Sequence, residues 1–200
     1  MTASTLTLNI EGKDAAYSRA LGTAAIIASP MLLLSGLLYG FAEIPRNRIT
    51  ATLGFLFVLG WAASAIGLRL LKVTGTGVAS KALFLVQIVL LLLAASQQVQ
   101  EFVFEHPEGN GLIYIVADIA WPLSMLLMLI VGIFILKAGV WRGWRRVPAL
   151  ICGLSLPGLI IVGVTSGNRA AGGLLFGVAT TVGFMLLGYA VRTGRPAGRI

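Results

Sequence analysis

The chain has 200 residues, 58% of them hydrophobic and 11% charged, and a mean hydropathy of +0.94. A water-soluble domain carries about 25% charged residues, so this supply cannot solvate a whole surface, and much of the outside must face lipid. The net charge of +8 does not point to nucleic acid, because the cations sit in short loops between apolar runs, the pattern that orients helices in a bilayer.

Residues 1–16 are polar and carry Glu11, Lys13 and Asp14, which reads as a short, poorly ordered cytoplasmic tail. Six apolar stretches follow, at 20–41, 50–71, 81–99, 112–136, 147–166 and 170–191. Each is close to the roughly 20 residues a helix needs to cross a hydrocarbon core of about 30 Å. Strands of a membrane barrel alternate in polarity over about 10 residues; these runs are continuous. The fold class expected is therefore all-α, a compact bundle of six transmembrane helices over residues 17–192, with a basic C-terminal tail at 193–200. The apolar core from Leu21 to Ala42 is longer than that of a cleaved signal peptide, so a retained anchor helix is expected.

Basic residues set the orientation. With the N-terminus inside, every lysine and arginine falls on the inner side except Arg46, Arg48 and Arg169, a clear positive-inside bias that puts both termini in the cytoplasm. The fourth loop, with Trp141, Arg142, Trp144, Arg145 and Arg146, has the indole and guanidinium groups favoured at lipid headgroups; its alternative use is binding an anionic lipid or phosphorylated ligand. The short, loop-poor chain lacks a eukaryotic sorting signal, which leans towards a bacterial inner (plasma) membrane.

Inside the runs, Pro30, Pro122 and Pro157 should bend helices one, four and five. Gly36 with Gly40, and Gly173 with Gly177, are small-residue pairs on the first and last helices and suggest that those two touch. Residues 28–36 faintly resemble 120–128, as two inverted three-helix halves would.

Several chemistries are excluded by count. Cys152 is the sole cysteine and His106 the sole histidine, which removes an intrachain disulfide, a Cys₄ site, a bis-histidine haem and an HExxH zinc site. Only one acid, Asp118, lies inside a predicted span, so an intramembrane aspartyl dyad is not available. No phosphate-binding glycine loop occurs. Neither an enzyme nor a cofactor is expected.

One polar constellation remains. On the third helix, Gln87, Leu91, Ala94, Gln98, Glu101 and Glu105 fall on one stripe at helical spacing. Such a stripe is costly towards lipid and should face the bundle or water. The fourth helix adds Tyr114 and Asp118, and a carboxylate at that depth needs a cation, a donor or a proton. Three readings stand: structural pairs with Arg46, Arg48 or Arg169; an outward-open pocket or pathway for a cation, proton or small polar molecule, lined by Asp118, Glu101, Gln98, Gln87 and Tyr114; or a metal ion held by Glu101, Glu105, His106 and Glu108. The partners expected are the lipid bilayer and another membrane protein or a second copy. Two functions follow: a non-enzymatic accessory or interaction protein of the membrane, or a small transporter or ligand-binding protein using the Asp118 site.

Overall fold

A computed structural model describes residues 3–104 and 111–194. Among them the secondary structure is helical without a strand: α1 (Ala3–Ala28), α2 (Met31–Tyr39), α3 (Arg48–Leu70), α4 (Val78–Val103), α5 (Leu112–Ala138), α6 (Pro148–Thr165) and α7 (Arg169–Arg192), with a 3₁₀ turn at Gly143–Arg146. Six spans among the described residues are long and apolar enough to cross a membrane, the first made of α1 and α2 together over Asp14–Tyr39. The protein is a multi-pass, all-α membrane protein. The spans agree with the six predicted runs to within a few residues, except where helices extend into polar sequence. The clearest case is the N-terminus. Residues 3–16 continue α1 rather than forming an irregular tail, because extending an existing helix adds one hydrogen bond per residue with no new nucleation cost.

Pro30 acts more strongly than a bend. It lacks a donor and interrupts the first span, so α1 ends at Ala28 and α2 restarts at Met31. Pro122 and Pro157 remain inside continuous helices. The two segments that resemble one another, 28–36 and 120–128, thus differ in backbone at their shared proline.

The helices form a closed ring in chain order. Each span packs against the next, the first span (α1 and α2) packs on α3 and closes the ring against α7, and α3 also reaches α7. The short loops leave consecutive spans antiparallel. Among the described residues, one end gathers 40–47, 104, 111 and 166–168. The other gathers residues 71–77, 139–147 and the end of α7, and there Arg145 reaches Thr193. Inside the ring, Phe57, Trp61 and Phe184 form an aromatic knot with ring centroids 5.1–6.0 Å apart. Leu68, Leu91, Met125, Met128, Ile135 and Leu187 complete the fully buried core.

The first and last helices do touch, but the closest approach lies elsewhere than at the predicted glycine pairs. A Cβ on Gly188 would sit 2.8 Å from the Gly22 carbonyl oxygen, and one on Gly22 would collide with the α7 backbone. Gly36 and Gly173 instead receive the Phe41 ring and backbone, while Gly177 meets Leu33 of α2, in the first span as predicted. Gly40 lies outside the helix, at φ 89°. The aromatic loop also departs from expectation. Trp144 is exposed and stacks on Tyr189 at 5.9 Å, as a headgroup-level ring would. Trp141, by contrast, is buried in the main core, because the turn around it folds back under the bundle, with the Arg146 Nε donating to the Trp141 carbonyl.

Candidate functional site

The site sits between α3, α4 and α5 at the end opposite the C-terminal end of α7. Its foundation is the start of α3. Asn47 caps that helix, its Oδ1 accepting from the Ile49 and Thr50 amides at 2.9 and 3.0 Å, while the Asn47 amide donates to Thr50 Oγ1 at 3.1 Å. This reciprocal box satisfies donors that a helix N-terminus leaves open. Thr50 Oγ1 also donates back to the Pro45 carbonyl at 2.7 Å. The segment 45–47 is thereby tied down, and Arg46 is held over the site.

Below Arg46, one amide joins two acids. Gln97 Nε2 donates to Asp118 Oδ1 at 2.8 Å and to Glu101 Oε1 at 3.1 Å. Both of its protons are used, one for each carboxylate. Gln98 Nε2 in turn donates to Gln97 Oε1 at 3.2 Å, and the Tyr114 hydroxyl donates to Glu101 Oε1 at 2.9 Å. Arg46 Nε stands 3.7 Å from the same oxygen, its side chain 52% exposed against 8% for Glu101. The guanidinium also lies over the Tyr114 ring, 5.5 Å from its centroid. Glu101 is therefore the interior acid with three partners, and Arg46 is a rim cation at the outer limit of ion-pair distance.

Asp118 is different. Among the described residues it pairs with none of the three candidate arginines. Arg46 goes to Glu101, Arg48 stacks on Phe102 at 6.0 Å, and Arg169 forms a surface pair with Glu43 at 3.4 Å. The Gln97 amide is the one described partner of Asp118. A cavity of about 370 Å³ reaches this carboxylate, lined also by Gln97, Gln98, Glu101, Trp121 and Arg46. Gly54 of α3 is also in the lining, and the Gln98 amide packs directly against it, where a Cβ would force that amide to move.

Of the residues expected to form the pocket, Asp118, Glu101 and Gln98 line it and Tyr114 bonds its floor. Gln87 does not reach it. That side chain is fully buried deeper in the bundle, its Nε2 3.5 Å from the Ser124 carbonyl. Leu91 and Ala94, both buried, stand between it and the pocket along the same helix face. The Gln87 Oε1 and the Ser124 Oγ have no hydrogen-bond partner among the described residues. Gln97 was missed as the central residue, although its i, i+4 spacing to Glu101 places both on one face. Trp121, which the helical period places on the Asp118 face, also lines the pocket. The weak metal candidates Glu105, His106 and Glu108 lie outside the described residues. Comparisons with protein-family models, with curated proteins and with solved structures find nothing that matches this chain. The class is that of a six-span helical membrane protein with a polar pocket at one end.

Proposed function

We propose that this chain is a membrane protein that binds a small cationic ligand in the Asp118 pocket, as a carrier or receptor rather than a catalyst. The observation that carries the reading is Asp118 itself. A carboxylate serving only to fix a helix end would meet a nearby arginine; this one faces a cavity and meets a neutral amide. Two carboxylates converge there against one loosely placed guanidinium, and Trp121 adds an aromatic wall of the kind that attracts ammonium groups. This ranks ligand binding ahead of the accessory-protein reading. The basic end, with Arg142, Arg145, Arg146 and Arg192, would face the cytoplasm and the pocket the opposite side, as the positive-inside rule requires of a bacterial inner membrane. There Trp144 and Arg145 would meet lipid headgroups.

Asp118→Asn tests the function, because it keeps the shape and the bond from Gln97 while removing the charge. Calorimetric titration of purified protein with tetramethylammonium should show affinity reduced by about tenfold or more, a loss of about 1.4 kcal/mol, with helicity by circular dichroism unchanged. Equal binding by the variant and the wild type would overturn the reading.

A further inference from the structure

The pocket has a second wall that opens on lipid. On the far side of Gln98 lies a cleft of about 250 Å³ between α3 and α4, lined by Ala51, Thr52, Phe55, Gln98, Val99 and Phe102. Apart from Gln98 and Thr52 this lining is hydrocarbon. Val99 and Phe102 are each 49% exposed, on a helix surface that faces the bilayer. The polar cavity and the apolar cleft thus share one side chain, Gln98. It is half-buried, its amide bonded to Gln97 at 3.2 Å. On α3 its amide lies against Gly54, where an added Cβ would meet it. Arg46 and Arg48 stand at the end of the same groove with Glu101 and Phe102.

We propose that the ligand is an amphiphile with an ammonium head and one alkyl chain, which reaches the pocket sideways from the bilayer through the α3–α4 cleft. The proposal rests on the cationic reading of the pocket and names its substrate class. The head sits against Asp118 and Glu101, where two acids face one guanidinium, and the chain lies along Phe55, Val99 and Phe102. Gln98 is the partition, and a change of its rotamer joins the two spaces. Arg46 at the rim disfavours the approach of a cation from the water at that end, whereas the lining of the α3–α4 cleft itself carries no charged side chain, which makes the cleft the route with the smaller electrostatic barrier. An anionic amphiphile would place its charge beside two carboxylates and is disfavoured.

The test uses the full chain purified in dodecyl maltoside, an uncharged detergent. The probes are a nitroxide-labelled dodecyltrimethylammonium, followed by the motionally restricted fraction of its spin-resonance spectrum, the corresponding labelled dodecyl sulfate, and tetramethylammonium followed by calorimetry. Val99→Trp narrows the cleft from α4, and Thr52→Trp narrows it from α3, so one serves if the other fails to fold. Either variant should weaken dodecyltrimethylammonium by about tenfold or more while leaving tetramethylammonium unchanged. Asp118→Asn should weaken both, and the sulfate should bind least. Undiminished dodecyltrimethylammonium binding by both tryptophan variants would overturn lateral loading while the pocket reading survives. Sulfate binding as tightly as the ammonium would overturn the choice of head. Failure of every cation to bind the wild type would sink the pocket reading and this proposal with it.

Discussion

Gln97 occupies the position where hydrogen-bond arithmetic is tightest. Its two amide protons go to two different carboxylates and its oxygen accepts from Gln98. Removing it leaves Asp118 without its described donor and Glu101 with one fewer. Gln97→Leu, similar in size, should therefore cost about 1–2 kcal/mol in reversible denaturation from detergent, and should also disturb ligand affinity. Gln100→Leu on the same helix, outside the pocket lining, should leave that affinity unchanged. Equal affinities for Gln97→Leu and the wild type would show that the amide does not organise the acids. The contrast between Gln97 and Gln87 illustrates the limit of periodicity. Both lie on the inward side of α4, yet only Gln97 is level with the two acids, whereas Gln87 is enclosed by core residues two to three turns deeper.

At the scale of elements, the contact of α1 with α7 depends on backbone meeting backbone. Lipid supplies no hydrophobic force between helices, so close approach and dispersion contacts must hold them. The neighbours of Gly188 include the Gly22 carbonyl at 2.8 Å from a would-be Cβ, and main chain cannot swing aside as a flexible side chain does. Gly188→Val should destabilise the bundle by about 1–3 kcal/mol, read as a lower midpoint in thermal aggregation. Gly163 is the control: a Cβ there meets nothing within 4 Å, so Gly163→Ala should be neutral or slightly stabilising, since alanine is the better helix former. Equal effects at the two positions would mean that the α1–α7 seam is not set by backbone approach. The first span shows the complementary rule. A proline at residue 30 splits it, and the short α2 leans on α3 and α7, bringing Leu32 and Ser35 to the pocket wall.

For the whole molecule, ring closure separates the two ends. Arg46, Arg48 and Arg169 lie with the pocket, while Lys137, Arg142, Arg145, Arg146 and Arg192 lie with the C-terminal end of α7. Cys152 is fully buried in α6, so a membrane-impermeant maleimide should leave the wild type unlabelled in intact cells and give a clean background. Glu43→Cys should label from outside, and Arg142→Cys only after the membrane is opened. The reverse pattern would invert the orientation, and labelling of both from outside would contradict six spans.

Composition and periodicity alone determined a great deal here. A chain this poor in charge cannot coat itself with water-compatible surface, and runs of about 20 apolar residues bounded by charged loops leave the hydrogen-bonded helix as the way to cross a bilayer. That reasoning placed all six spans and singled out Asp118, Glu101, Gln98 and Tyr114. Three things were decided only in three dimensions. Which arginine meets which acid depended on loop geometry: the Asn47 cap carries Arg46 to Glu101, while Arg169 goes to Glu43 across the loops. Trp141 turned into the core and Trp144 outward, a choice made by the fold of one short turn. Gln98 came to lie against Gly54 of α3, between the cavity beside Asp118 and the apolar cleft. Local patterns fix what a residue prefers along its own helix, but the partner it meets is fixed by how separate helices come to rest against one another, and that depends on packing across the whole ring.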